Sequence, residues 1–97
     1  MTLEAILDSV QNDSDPPPGL SAPLRALWLA RKGRWDDSHD MVNDLPSSMG
    51  SWIHAHLHRI EGDLGNAAYW YSRAGRPAIS HGDALEEEWA TLVKANL

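Results

Sequence analysis

Residues 52–75 read WIHAHLHRIEGDLGNAAYWYSRAG and predict two short helices joined by a tight turn. Apolar residues in the first half recur at the spacing of one helical face: Trp52, Ile53, Leu57 and Ile60. This helix, over about residues 52–61, ends at Gly62, a residue type that readily closes a helix. Asp63 can then cap a second helix by accepting hydrogen bonds from its first backbone N–H groups. Because that helix runs to Ala74, the segment indicates a helical hairpin.

The same helical pattern extends in both directions from this hairpin. Ala and Leu are abundant, whereas β-branched Val and Ile are scarce, and no segment alternates cleanly between polar and apolar residues. Three consecutive prolines at 16–18 cannot continue a helix, because proline lacks a backbone donor. We therefore expect an all-α fold of five to six short helices in antiparallel hairpins. The expected single helical domain, 1–97, comprises an N-terminal helix at 1–11, a Pro-rich connector at 12–19, two helical hairpins at 20–75 and a C-terminal helix at 83–95.

Polar segments beside this hairpin are interpreted as helix ends. Residues 47–51, SSMGS, predict a turn that carries cap candidates before the helix at 52. Asp83 and Glu86 resemble a capping box for the last helix. The acidic run at 86–88 lies in the first turn of that helix, where the helix dipole favours carboxylates. These interpretations explain the three glutamates by helix stability alone.

Composition excludes several classes of protein. The 97 residues include 14 acidic and 8 basic side chains, a net charge of −6, and contain no cysteine. The absence of cysteine excludes a disulfide scaffold, a thiolate zinc site and an iron–sulfur site. The acidic balance argues against binding to nucleic acid or to an anionic membrane. No apolar run approaches about 18 residues and the first four residues lack the pattern of a signal peptide, so we expect a cytoplasmic protein.

A repeat of about 29 residues relates the two predicted hairpins. Its identical pairs are Ala26 with Ala55 and Gly33 with Gly62. Residues 63–74, DLGNAAYWYSRA, resemble the second helix of a Sel1-like repeat, and their order of small and aromatic residues is similar to that of a tetratricopeptide repeat. This resemblance implies a divergent, right-handed stack of hairpins whose grooves accept peptides or partner helices. Residues 52–63, running into the Tyr-Trp-Tyr segment, also resemble a group of small uncharacterised microbial proteins, which implies no activity.

Histidine is concentrated in the first helix of the second hairpin. His54, His58 and Glu61 share one helix face, at positions i, i+4 and i+7. That spacing presents two imidazoles and a carboxylate to one ion, a donor set that suits Zn, Ni, Fe or Mn. His39 or Asp63 can supply a fourth ligand from a neighbouring element. Two other interpretations stay open for this face, a buried hydrogen-bonded structural role and a plain solvated surface.

Two functions follow from these patterns. The first is a non-enzymatic helical-repeat module that binds a protein or peptide partner, because the chain has no complete catalytic template. Five tryptophans are more than a core of this size needs, so one or two are expected to line an exposed groove. Tyr69, Arg73 and Asp63 are the candidate groove residues, and Arg73 is expected to pair with Glu61 or Asp63. The alternative is a small metal-binding protein or metal-dependent enzyme that uses the His/Glu face. A homodimer is compatible with either function.

Overall fold

The fold is known from a computed structural model, which describes residues 1–78 and 84–97. Within these two ranges the chain forms six α-helices and no strand, so the prediction of an all-α fold is confirmed. The helices are α1 (Leu3–Asn12), α2 (Ala22–Arg31), α3 (Trp35–Asn43), α4 (Ser48–Ile60), α5 (Leu64–Ala74) and α6 (Leu85–Ala95). None of these helices has the length and apolar content that a membrane crossing needs.

Side-chain caps fix the starts of several helices where the sequence predicts them. The Thr2 hydroxyl accepts a hydrogen bond from the Ala5 N–H at 3.1 Å, before α1. Asp63 accepts one from the Asn66 N–H at 3.2 Å, before α5. Each cap satisfies a backbone donor that has no partner inside the helix, so the chain leaves its connector and becomes helical at that residue.

The start of α4 differs from the prediction. Residues 48–51 belong to the helix rather than to a turn, because the Ser47 hydroxyl caps it by accepting from the Gly50 N–H at 3.0 Å. Several serines in this segment are plausible caps by residue type, and the sequence pattern does not choose between them. The extra turn carries Ser51 into the buried part of the helix.

The start of α6 also differs. The helix begins at Leu85, after Ala84 in a left-handed conformation that makes no side-chain cap hydrogen bond. The predicted capping box rests on Asp83, which lies outside the described residues. Glu86 forms an ion pair with Arg31 of α2 at 3.3 Å. Both side chains are substantially exposed, so this pair contributes little stability.

Helix α4 is the centre of the molecule. It packs against α2, α3, α5 and α6, and every residue from Gly50 to Arg59 is buried. His54 is 3% exposed and His58 6% exposed, so the interpretation of this face as plain solvated surface is wrong for the two histidines, whereas Glu61 is exposed. A helix surrounded on all sides has no solvent face, and its polar side chains therefore need partners inside the protein.

Gly50 allows α4 to approach the preceding connection closely, and we expect Gly50→Ala to destabilise the fold. A Cβ atom at this position would lie 2.1 Å from the carbonyl oxygen of Leu45, a backbone atom that cannot move aside without shifting the chain. We expect the free energy of unfolding, measured by urea denaturation, to fall by about 1–3 kcal/mol.

Gly65→Ala is the matched control for that substitution. Gly65 is also a helical glycine, but no heavy atom lies within 4 Å of the position that its Cβ would take. The change should raise the free energy of unfolding by about 0.5–1 kcal/mol, because alanine restricts the unfolded chain. Equal effects of the two substitutions would contradict the role of close packing at Gly50.

Candidate metal centre

Three imidazoles converge where α3 meets α4. They belong to His39 of α3 and to His54 and His58 of α4, and one ring nitrogen of each lies within 4.8 Å of those of the other two. His39 Nε2 and His54 Nε2 are joined by a hydrogen bond of 2.9 Å, in which one nitrogen donates and the other accepts. The rings of His54 and His58 stack one helical turn apart, with centroids at 5.0 Å. The sequence places His54 and His58 on one face, and the packing of α3 brings His39 to that face.

Two tryptophan rings hold the imidazoles in place. Trp35 stacks on His39 with centroids 4.8 Å apart, and Trp70 of α5 stacks on His54 at 3.8 Å. Trp35 is itself fixed, since its Nε1–H donates to the Leu57 carbonyl oxygen at 2.8 Å. These contacts surround the cluster with apolar surface and restrict the rotation of two of its three rings.

The opposite edges of two rings meet hydrogen-bond partners. His58 Nδ1 lies 2.6 Å from Glu61 Oε1, and His39 Nδ1 lies 3.4 Å from the Asn43 amide nitrogen. A carboxylate on Nδ1 favours the tautomer that carries its proton there, which leaves a lone pair on Nε2 of His58. Glu61 therefore lies behind His58 and is not grouped with His39 and His54, in contrast to the predicted joint ligand set.

A second group of ligand atoms lies at the end of α4. His58, Glu61 and Asp63 each offer an atom within 4.8 Å of the other two. Glu61 and Asp63 are exposed, and Asp63 is engaged as the cap of α5. This group is an exposed acidic arrangement of a common kind, whereas the three-histidine cluster is enclosed by aromatic rings.

Electrostatics keep His54 neutral. Burial of the ring lowers its pKa, the neighbouring His39 and His58 lower it further, and the value falls to about 4. Only below that pH does the folded protein add a proton to His54. At neutral pH a proton lies between His54 Nε2 and His39 Nε2, which are hydrogen bonded, and a metal ion that bound both nitrogens would have to displace that proton.

A buried polar cluster centred on Glu88 lies on another side of α4, and the sequence interpretation missed it. Glu88 Oε1 accepts from His56 Nδ1 at 2.6 Å and from Arg59 Nη1 at 2.8 Å. Glu88 Oε2 accepts from Trp52 Nε1 at 3.2 Å and from the Tyr71 hydroxyl. Helix-dipole stabilisation of the acidic run therefore does not account for Glu88, whose side chain is almost fully buried.

The signal for this cluster is present in the sequence of α6. Glu88 falls between Leu85 and Leu92 at helical spacing, on the same stripe as Trp89. A carboxylate on an apolar stripe of a core helix must be paired or strongly hydrogen bonded. The partners of Glu88 could not be identified from the sequence pattern of α6, because they belong to α4 and α5.

The Glu88 carboxyl has a strongly shifted pKa. Burial raises the pKa, but the hydrogen bonds that the carboxylate accepts from His56, Tyr71 and Trp52 outweigh that effect, and the value falls to about 2. Burial and the adjoining carboxylate raise the pKa of Tyr71. The carboxylate form of Glu88 and the neutral form of Tyr71 are thus the states that the fold stabilises.

This shift predicts a particular loss of stability in acid. The pKa of Glu88 is lower in the folded chain than its ordinary value of 4.5, so its contribution is complete above pH 4.5 and is lost as the pH falls toward 2. The loss should reach about 3 kcal/mol in the free energy of unfolding. Urea denaturation of the native chain and of Glu88→Gln between pH 2 and 7 measures it. The difference between the two proteins should shrink below about pH 4.5, and a constant difference would contradict the shift.

The candidate groove residues are arranged differently from the prediction. Arg73 donates from Nη1 to the Tyr69 hydroxyl at 3.2 Å, and its guanidinium lies 5.2 Å from the centre of the Trp70 ring. It forms no ion pair with Glu61 or Asp63, so the predicted pairing is wrong. The reason is position, since Arg73 lies near the end of α5 and Asp63 caps its start.

Comparison of the chain with protein-family models, with curated proteins and with solved structures found no match. The resemblance of residues 63–74 to a Sel1-like repeat therefore stays a prediction from those residues.

Proposed function

We propose that the protein binds a divalent first-row transition metal ion through His39, His54 and His58. The observation that supports it is the convergence of three ring nitrogens from two helices within 4.8 Å of one another. Imidazole nitrogens around a tetrahedral zinc ion lie about 2 Å from the metal and hence about 3.4 Å apart. His39 Nε2 and His54 Nε2 lie 2.9 Å apart, in a hydrogen bond that is somewhat shorter than this ligand separation. Binding of an ion by all three nitrogens would require small shifts of the rings and loss of the proton shared by His39 and His54.

The donor set favours some metals over others. Among Zn, Ni, Fe and Mn, three neutral imidazoles suit Zn, Ni or Fe, whereas Mn prefers oxygen ligands. Three protein ligands leave a fourth coordination position open, as in catalytic zinc sites. Glu61 supports the site from behind by fixing the orientation of His58.

Metal analysis and thermal unfolding test this proposal. Protein purified without a histidine tag should bind one equivalent of Zn²⁺ in calorimetric titration. Its Tm should rise with the free Zn²⁺ concentration, because an ion that binds only the folded chain stabilises it. Uptake of less than about 0.1 equivalent with an unchanged Tm would contradict the proposal.

A helical-repeat module that binds a protein or peptide is the second proposal. It is supported by the exposed Tyr69 ring, which is 52% exposed on the Sel1-like segment 63–74. The tryptophans do not provide the expected exposed groove, because three are buried and two are half-buried: Trp28, Trp52 and Trp89, and Trp35 and Trp70. Sedimentation at two concentrations tests the homodimer, and a pull-down compared with Tyr69→Ala tests a partner.

A further inference from the structure

The hydrogen bonds at the edges of the three imidazoles determine which ring nitrogens carry protons. A neutral imidazole has one N–H donor and one acceptor nitrogen. The side-chain nitrogen of Asn43, which can only donate, lies 3.4 Å from His39 Nδ1. His39 Nδ1 is therefore the acceptor of this contact, and the proton of the neutral His39 ring is on Nε2.

His39 consequently donates the hydrogen bond that joins α3 to α4. Its Nε2–H points at His54 Nε2, which accepts at 2.9 Å. Burial, together with the neighbouring His39 and His58, keeps His54 neutral by lowering its pKa to about 4, so the proton of His54 is on Nδ1. The Glu61 carboxylate holds the proton of His58 on Nδ1 as well. Of the three rings, His39 is thus the one whose Nε2 carries a proton in place of a lone pair.

We infer that the side-chain amide of Asn43 decides which nitrogen of His39 carries the proton, and thereby whether His39 can bind a metal ion. The inference rests on the proposed metal site. Moving the proton from Nε2 to Nδ1 frees the Nε2 lone pair and leaves the imidazole neutral. The new Nδ1–H then needs an acceptor, which the amide oxygen of Asn43 supplies when the amide turns over about its last torsion angle. Asn43 is a positioning residue, since it acts on the ion through His39.

The location of Asn43 suits this role. It is the last residue of α3 and follows His39 by one helical turn, so the two side chains are neighbours on one face. Asn43 is exposed, so its amide can turn without disturbing the core, while Trp35 stacks on the His39 ring and restrains it. Glu61 makes the corresponding contact with His58, but an ionised carboxylate only accepts and supports one tautomer, whereas an amide supports both.

Nitrogen NMR of the metal-free protein tests the position of the proton. Long-range ¹H–¹⁵N correlation spectra distinguish the two tautomers of each ring, at a pH of about 8 where ordinary imidazoles are neutral. We expect the His39 proton on Nε2 in the native chain and on Nδ1 in Asn43→Asp, because the new carboxylate accepts from that nitrogen. Asn12→Asp, the same change at an exposed asparagine of α1, should leave His39 as in the native chain. The same His39 tautomer in the native chain and in Asn43→Asp overturns the inference.

Zn²⁺ affinity tests the consequence for the metal site separately. Asn43→Asp should raise the affinity about tenfold, because a carboxylate on Nδ1 stabilises the tautomer that binds the ion. Asn43→Ala offers no acceptor and should lower the affinity about tenfold, while Asn12→Asp should bind as the native chain does. Circular dichroism verifies that each variant is folded. Equal Zn²⁺ affinities in all four proteins overturn the inference and leave the metal site standing, whereas a native chain that binds no Zn²⁺ overturns both.

Discussion

Glu88→Gln is expected to lower the free energy of unfolding by about 3–5 kcal/mol, although glutamine has nearly the same size and shape as glutamate. The reason is the charge of the cluster. Glu88 is the carboxylate that faces the buried Arg59 guanidinium at 2.8 Å, and the Arg59 side chain has no solvent exposure. Removing one partner of a buried ion pair takes away an interaction that offsets part of the desolvation of the other charge.

The hydrogen bonds of Glu88 increase this effect. Its oxygens accept from Trp52, His56 and Tyr71 as well as from Arg59. An amide has one acceptor oxygen, and its NH₂ group would meet donors where the second carboxylate oxygen now accepts. Up to two of the four contacts are therefore lost or become repulsive, and each buried donor left unsatisfied costs about 1–3 kcal/mol.

Chemical denaturation at pH 7 measures the loss. Glu87→Gln is the matched control, because Glu87 is the preceding residue of α6 and is exposed. The Glu87→Gln substitution makes the same chemical change in the same helical turn. It should alter the free energy of unfolding by less than about 0.5 kcal/mol. A loss below about 1 kcal/mol for Glu88→Gln would show that the cluster does not depend on the carboxylate charge.

The positions of the helices could be predicted from the sequence because the residues that start and end them act locally. Helix formers, glycine stops and caps such as Thr2 and Asp63 act within a few residues, so they predict where helices lie. The start of α4 was misplaced for the same reason, since Ser47 and its neighbours are chemically equivalent candidates. The structure identifies Ser47 as the cap of α4, and in the same segment Gly50 lies close against the backbone of Leu45.

Only the part of the candidate site that lies on one helix could be predicted from the sequence. His54 and His58 lie one turn apart on α4, so helical spacing predicts their common face. His39 reaches them through the packing of α3 on α4, which the pattern suggests but does not determine. Glu61 lies at the helical spacing expected of a ligand, but its side chain hydrogen bonds to Nδ1 of His58. The spacing of residues along a helix does not determine their side-chain rotamers. The Glu88 cluster joins three helices and lies beyond local patterns altogether.

His39→Asn should reduce Zn²⁺ affinity at least about 100-fold. Removal of a residue that only hydrogen bonds to a metal ligand lowers the affinity about 10–100-fold, and the loss of a ligand itself should exceed that. His39 is the only member of the three-histidine cluster outside α4, and it is half-buried, so its replacement disturbs the core little. Without it, two imidazoles one turn apart on a single helix hold the ion, and no ligand approaches from the side of α3. Competition with a chelator of known affinity measures the change.

Asp63→Asn and Glu61→Gln distinguish the two groups of ligand atoms. Asp63 belongs only to the exposed group with His58 and Glu61, and asparagine preserves its capping of α5, so the native affinity is expected. Glu61→Gln weakens the orientation of His58 and should cost about 10–100-fold, because Glu61 acts behind the ligand. If Asp63→Asn abolished binding while His39→Asn bound normally, the ion would belong to the exposed group. The expected order of affinity loss, His39 greatest, Glu61 intermediate and Asp63 none, fits only an ion held among the three imidazoles.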